Sequence, residues 1–512
     1  MDDYKTVFTW KMISDPLYGY VYFNTQVEEA LINNVLLQRL RYIMQLQTAH
    51  YVYPGAVHTR FQHSAGVMHL SGLMAEDMLN KLISLHGKEV LEGYEPASVI
   101  EATRLAGLLH DVGHAAFSHA FEQGLLWRRD LPLDLSNHER IGFKLISIIL
   151  DEYLDNVETK YFPGLKEILH GILGFREPKG LVKVFRWIVR EGYYPADVID
   201  FLRRDSYYAG TVEYGSILYE RLYKNTYPLI DGKKISIVLD RIAFGEFKQY
   251  MYAKTSMYEH VYYHSVCRSF DRILYDILEQ LDGELDLTGR VTAINRGDVR
   301  GYLELTDVYL YSVMMNKALY DTTRLGYLCN RIMISRKPEW KRVGRDVSIS
   351  AMRGLREIET SLKLILDPDY RGKVSKGLLD SLISALRSRN IDESEIWVDL
   401  LDIAPLPKST IYPGSEVYNS NLLMYIGKKI GGNIVVSEEF NPFIEDLPLK
   451  VIFRVYVKRE KYTPELEPII SSTIVEYVQS ILGVETSDIR KLIEDIYSKY
   501  KEREYSKFKL TA

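Results

Sequence analysis

Cysteine is nearly absent, with Cys267 and Cys329 the only two among 512 residues. Two thiols can neither frame a disulfide-built fold nor complete a zinc knuckle, so they read as reduced core thiols of a cytoplasmic protein. No run of about 18 apolar residues occurs, which leaves no candidate for a membrane-spanning helix. Met1-Asp2-Asp3-Tyr4-Lys5 lacks the basic and then apolar order of a secretory leader. An excess of positive charge is missing as well. The formal net charge is −5 and the pI near 6.2, so nothing draws the chain as a whole to nucleic acid or anionic lipid. A polyanionic substrate must then be held by local cations or by a metal. Glutamine is sparse while tyrosine is plentiful, at 39 residues, a usage resembling that of thermophile proteins. There is no internal repeat and no low-complexity tract.

What remains is an ordinary globular composition, 46% hydrophobic and 26% charged, long enough for one large core or a few smaller ones. Positions 27–43 carry apolar residues at helical spacing through Leu31, Val35, Leu36, Leu40 and Ile43. Tyr51-Val52-Tyr53-Pro54-Gly55 interrupts the pattern. His58-Thr59-Arg60-Phe61-Gln62-His63-Ser64-Ala65-Gly66 opens a second helix, with Arg60 and His63 as neighbours three residues apart.

The stretch Ala106-Gly107-Leu108-Leu109-His110-Asp111-Val112-Gly113-His114-Ala115-Ala116-Phe117-Ser118-His119 carries the densest chemistry. Its small and apolar start reads as a tightly packed, buried helix. A buried imidazole or carboxylate needs a partner, and the His110-Asp111 doublet suits a divalent cation. His114 shares the face of His110. His119 does not, since nine residues at about 100° each carry it to the opposite side of a continuous helix. Either it faces away, or the helix ends near Gly113 and a turn brings it back. Further on, Asn137 is an N-cap candidate ahead of His138-Glu139, which taken alone read as solvated first-turn residues. Pro195 starts a helix on which Asp197, Asp200 and Arg204 share a face. That face reads as an ion-pair ladder or as a metal ligand followed by substrate contacts. Lys254, Tyr258 and Tyr262 form a stripe of one cation and two phenols.

Taken in order and spacing, Asp15-Pro16-Leu17-Tyr18-Gly19, Gln38-Arg39-Leu40-Arg41-Tyr42-Ile43, Gln45-Leu46, Pro54-Gly55-Ala56, Arg60-Phe61-Gln62-His63-Ser64 and the His110–His119 stretch resemble the HD-domain phosphohydrolases. Within them the likeness is to the deoxynucleoside triphosphate triphosphohydrolase branch, without a segment resembling the SAM domain that some members carry. It extends more faintly through Ile452-Phe453-Arg454-Val455-Tyr456-Val457-Lys458.

The resemblance implies one divalent metal ion (Mn, Mg, Fe, Zn or Co) on His63, His110, Asp111 and Asp197. It makes His114, His119, His138 and Glu139 the acid/base and orienting groups around the scissile phosphate. Gln45, Leu46, Arg60 and Asp205 would contact nucleobase, phosphate and sugar, with Lys254, Tyr258 and Tyr262 toward phosphates and base. The family's metal-binding Asp precedes its Arg-Asp pair by seven residues, which selects Asp197 over Asp200. The chain departs from the pattern at Val198, where the family has Lys, at Phe201 for Tyr, at Lys254 for Arg and at Tyr258 for His. In the family's regulatory nucleotide site Gln38 and Arg41 persist, but Asn33, Asp240 and Ile242 replace its Asp, Arg and Lys.

The expected architecture is mostly α: a helical HD-domain core over 1–335 and a smaller C-terminal α+β lobe over 336–512. In that lobe Arg336-Lys337-Pro338-Glu339-Trp340-Lys341-Arg342 reads as an exposed connection. Positions 395–404 and 448–457 read as strands, 405–443 as turn-rich, and 464–482 and 488–500 as helices. The expected activity is hydrolysis of a dNTP to deoxynucleoside and triphosphate. Two other readings stay open: the same site acting on nucleoside monophosphates or another phosphoester, and a non-catalytic binder of nucleotide or single-stranded nucleic acid. The implied partners are a nucleotide and further copies of the chain, as dimer or tetramer, with nucleic acid disfavoured by the charge and no membrane.

Overall fold

Helical spacing of apolar residues prevails through most of the chain, and the computed structural model is correspondingly mostly helical. It describes residues 8–153, 161–232, 234–350, 355–404, 422, 424–430, 433–439 and 449–482. Two compact units separate: 1–253 with 271–336 and 420–440, and 254–270 with 337–419 and 441–512. Sequence texture suggests a single cut near 336. The structure exchanges two segments across that cut, because Met424–Ile430 pairs in parallel with Lys234–Asp240 and so extends a sheet of the larger unit. Among the described residues no helix is long and apolar enough to cross a membrane.

The larger unit opens with an antiparallel hairpin, Phe8–Asp15 with Gly19–Thr25. Asp15 closes its turn by accepting from the amides of Leu17 (2.9 Å) and Tyr18 (3.2 Å). The helix expected over 27–43 is broken. Gln26–Asn33 ends where Asn34 turns extended, and the Asn34 side chain caps a new start by accepting from Leu36 N. A short 3-10 turn, Arg39–Tyr42, follows. The main helix, Arg60–His86, starts after Thr59, whose N–H donates to Gln62 Oε1 at 2.8 Å, one half of a capping box. It packs against Pro96–Leu109. At Gly107 a methyl group would stand 2.9 Å from Val67 O. The small residues ahead of His110 are therefore what bring the two helices, and the groups they carry, together. His138–Tyr153 begins as expected after Asn137, which accepts from Arg140 N at 3.0 Å. Ala196–Ala209 follows Pro195.

The smaller unit is α+β. Trp340–Ser350, Lys450–Lys458 and Ile396–Ile403 form an antiparallel sheet with Lys450–Lys458 in the middle. Leu362, Leu378, Leu382, Ile470 and Ile474, from helices Leu355–Leu366, Pro368–Leu386 and Leu466–Ile481, share its core with Phe453 and Val455. Two expectations are corrected here. Positions 340–342 are not an exposed connection but the start of a strand with Trp340 buried. The turn-rich 405–443 segment contains the strands Met424–Ile430 and Asn433–Glu439, whose Gly, Lys and Asn content hid them. The helix expected over 488–500 lies outside the described residues.

Burial in the larger unit also includes charge. Glu101, on the Pro96–Leu109 helix, is buried and accepts from Thr25 Oγ1 at 2.7 Å. Burial and the charge of Glu28 raise its pKa to about 8. An acid raised above its unfolded value of about 4.3 binds its proton in the native state. The stability it contributes is full below about pH 4.3 and is lost as pH rises toward 8. Glu101→Gln, which keeps the hydrogen bond, should match the wild-type melting temperature at pH 5 and exceed it increasingly up to pH 8. A constant difference across that range would contradict the buried neutral acid.

Candidate metal and phosphoester site

The four side chains implied to bind metal converge in the larger unit. His110 Nε2 lies 3.2 Å from His63 Nε2 and 3.4 Å from Asp111 Oδ1. Asp197 Oδ1 lies 3.1 Å from His63 Nε2 and 3.6 Å from His110 Nε2. Ligand atoms around an ion held at about 2.1 Å stand roughly 3.0 to 3.4 Å apart, so these separations suit a shared ion. The Nε2–Nε2 approach supports this, since two neutral imidazoles gain little at that distance without a proton or cation between them.

The opposite ring nitrogens explain the orientation. His110 Nδ1 donates to Gly107 O at 2.7 Å, and His63 Nδ1 donates to Asp200 Oδ2 at 2.8 Å. Both tautomers are thereby set with Nε2 facing the centre. Asp200 is in turn gripped by Arg204, whose Nε and Nη2 each donate at 2.9 Å, and by the Tyr18 hydroxyl at 2.9 Å. The remaining arm of Arg204 reaches Asp15 at 2.7 Å. The shared face of Asp197, Asp200 and Arg204 thus contains both a candidate ligand and a buried ion pair. Gly66 permits the packing, because a methyl there would stand 2.2 Å from Asp200 Oδ1.

Electrostatics follow from this enclosure. Burial disfavours the His63 imidazolium, but hydrogen bonds to Asp197 and Asp200 and the charge of Asp111 outweigh it and raise the ring to about 10. Burial likewise opposes ionised Asp111, yet the His110 and Arg60 charges hold it well below the usual carboxylate range. A metal ion would take the place of the His63 proton.

Beside this centre lies a histidine trio. The Pro96–Leu109 helix ends at His110, and the chain reverses through Phe117 (φ +59°) and Ser118 (φ +51°) before the short helix His119–Gly124. The turn therefore returns His119 to within 5.0 Å of His114, centroid to centroid. His138 stacks on His114 at 3.8 Å with 14° between planes. His119 meets both stacked rings edge-on, and one ligand atom from each of the three lies within 4.8 Å of the others, a spacing open to proton exchange as well as to an ion. Its anchor is Glu122, which the sequence reading passed over. Oε1 accepts from His138 Nδ1 at 2.6 Å and Oε2 from His119 Nδ1 at 3.1 Å. The signal available was its place three residues after His119. Burial, Arg60 and His138 push His114 well below the usual histidine value. Burial also opposes charge on His138, but Glu122 overrides it and raises the ring.

The other expected residues are distributed unevenly. Arg60 is buried, donating to Asp111 Oδ2 (2.7 Å) and Ser118 Oγ (3.0 Å). Gln45 Oε1 is buried without a hydrogen-bond partner among the described residues, and Leu46 is half-buried beside it. Asp205 accepts from His58 Nε2 at 2.7 Å, and His58 stacks on Tyr208 at 4.6 Å; the sequence reading did not single out His58. Glu139 pairs with Arg190, and its charge adds to the rise of the His138 pKa. Lys254, Tyr258 and Tyr262 fall in the smaller unit, where Tyr258 meets Tyr262 edge-on at 4.9 Å. Val198 is buried and apolar.

Residues 60–190 match the family model of the HD domain. YwfO of Bacillus subtilis, an uncharacterized protein, is 32% identical over 271 residues, 53% of this chain and 55% of its own. The deoxynucleoside triphosphate triphosphohydrolase SAMHD1 homolog of Dictyostelium discoideum is 27% identical over 323 residues, 62% and 57% of the two chains. Human SAMHD1 is 27% identical over 329 residues, 58% and 50%. The chain thus spans about half the length of the curated relatives it matches. A phosphohydrolase from Bacteroides thetaiotaomicron shares the fold at a TM-score of 0.60 and 21% identity, covering 88% of this chain and all of its own. The resemblance to HD-domain phosphohydrolases stands at the level of the family.

Replacing Asp200 by Asn keeps its shape but removes the charge behind His63. Mn²⁺ affinity, read by calorimetric titration, should fall roughly 10- to 100-fold. An unchanged affinity would place His63 outside the ion's ligands.

Proposed function

We propose that this HD-domain chain is a metal-dependent nucleotide phosphohydrolase that cleaves a dNTP to deoxynucleoside and triphosphate. The observation that carries the reading is the convergence of the His63 and His110 Nε2 atoms with Asp111 and Asp197, next to a histidine pair tuned in opposite directions. His63, His110, Asp111 and Asp197 would hold the ion. When bound, the ion supplies charge neutralisation at the phosphoryl oxygen and a water of lowered pKa.

The chain's own groups do the rest. His114, whose pKa lies well below the usual value, accepts a proton; His138, whose pKa Glu122 raises, donates one through the trio to a departing oxygen. Such a pair covers both needs of phosphoester cleavage at neutral pH. Glu122 holds His119 and His138 in register for that exchange. Gln45 Oε1, buried and unpartnered, is available to accept from a sugar hydroxyl, and a hydroxyl there relieves the cost of a stranded acceptor. Arg60 is committed to Asp111 through Nη1, so it acts on substrate through its charge or its remaining nitrogen.

One observation favours a second reading. Val198, next to Asp197, is buried and apolar, and the family's Lys at that place would have been a phosphate contact. A site with fewer cations suits a shorter phosphate chain, which points to nucleoside monophosphates.

Chromatographic product analysis separates these readings. Protein stripped of metal and resupplied with Mn²⁺ or Mg²⁺ should convert a dNTP to deoxynucleoside and tripolyphosphate. His110→Ala and Asp111→Ala should abolish turnover with circular dichroism unchanged. Orthophosphate from a monophosphate alone would favour the second reading, and no product with any ion or nucleotide would overturn both.

A further inference from the structure

We infer that Arg39 and Tyr302, helped by Asp307, are positioning residues that hold the 112–118 turn in the form turnover requires; this rests on the hydrolase reading. All three hydrogen-bond to main-chain atoms and not to the side chains of His63, His110, Asp111 or Asp197. Arg39 is buried, and its Nη2 donates to two carbonyls of the turn, Val112 O at 2.9 Å and His114 O at 2.6 Å. Its Nη1 donates to Leu305 O at 3.2 Å. The carbonyl between them, Gly113 O, accepts from the Tyr302 hydroxyl at 2.6 Å. Three successive carbonyls after Asp111 are therefore held by two side chains, and the Tyr302 ring lies 4.5 Å from the Arg39 guanidinium carbon. Further along, Asp307 accepts from Phe117 N at 2.6 Å and from Met44 N at 3.0 Å.

The chain has a physical need for this grip. Val112, Gly113 and His114 lie past the end of the Pro96–Leu109 helix, where no following helical turn can serve their carbonyls, and a cation near a helix C-terminus also suits its dipole. Immediately afterwards Phe117 and Ser118 adopt positive φ without being glycine, Ser118 with ψ −124°. Such backbone persists only where its surroundings over-determine it. The reversal is what faces His119 toward His114. A buried guanidinium whose acceptors are main-chain carbonyls is a costly way merely to fill space. Its geometry instead immobilises the one segment that joins the metal ligands to the histidine trio.

Tyr302→Phe removes a single hydroxyl, and Arg39→Lys keeps the charge while losing the planar fork that serves several carbonyls at once. Turnover with Mn²⁺ and dNTP, Mn²⁺ content and hydrogen exchange would be measured on both variants and wild type. Misplacement of a reacting group costs up to about a hundredfold. Accordingly kcat should fall between about tenfold and a hundredfold, with KM and Mn²⁺ content near the wild-type values. Amide exchange should quicken at 112–118 and stay unchanged in the Arg60–His86 helix. Unchanged kcat with unchanged exchange at 112–118 would overturn the inference. So would a loss of kcat that only tracks lost Mn²⁺ or global unfolding. A wild type without turnover would instead sink the hydrolase reading, and the exchange comparison would still decide whether the clamp holds the turn.

Discussion

The site depends on one buried chain of charge: Asp15 to Arg204 to Asp200 to His63. Arg204 is fully enclosed, and an unpaired guanidinium there would be costly, on the order of 3–5 kcal/mol for losing one partner of a buried pair. Asp15 of the first hairpin and Asp200 of the Ala196–Ala209 helix meet that demand, while Asp200 also accepts from the Tyr18 hydroxyl and from His63 of the Arg60–His86 helix. The first hairpin, the Arg60–His86 helix and the Ala196–Ala209 helix must therefore come together before the charge is satisfied. Once they do, the last member of the chain has its Nδ1 occupied and its Nε2 aimed at Asp197 and His110. Packing specificity and ligand orientation are in this way set by the same hydrogen bonds.

A second consequence concerns proton balance. The ion-facing group is rich in carboxylate, and the neighbouring trio divides between two acids: Glu122 accepts from His119 and His138, while His114 Nε2 lies 3.5 Å from Asp111 Oδ1. Arg60 lies between them, donating to Asp111 while its charge lowers His114. Glu122 acts in the opposite sense on His138. Two imidazoles stacked face to face thus acquire different affinities for a proton from their surroundings alone. That separation is what acid/base chemistry on one side of a phosphoester calls for.

Much of this was legible beforehand. The small residues before His110 signalled close helix packing, and Gly107 against Val67 is its realisation. The seven-residue offset to Arg204 picked Asp197 over Asp200, and the structure puts Asp197 against the two imidazoles while Asp200 stands behind His63. The alternative left open for His119 is settled by a reversal after His110, through two strained residues that carry no sequence mark. His58 and Arg39 escaped notice because their partners lie far off in sequence, so spacing on one helix says little about them; Glu122 offered only its place three residues after His119. The strands at 340–350 and 424–439 were missed because charged and turn-prone residues obscured a pattern that only cross-strand pairing reveals. Glu139 entered only through the family resemblance, and its pairing with Arg190, 51 residues away, could not be read from spacing.

The central claim is that His63 and His110, with Asp111 and Asp197, hold one ion, while the stacked trio holds none. X-ray absorption on protein loaded with a single equivalent of Mn²⁺ tests it most directly. The account predicts two imidazoles and carboxylate oxygens around the ion, with one imidazole lost in His63→Ala and none lost in His119→Ala. An all-oxygen sphere, or a spectrum altered by His119→Ala but not by His63→Ala, would contradict it.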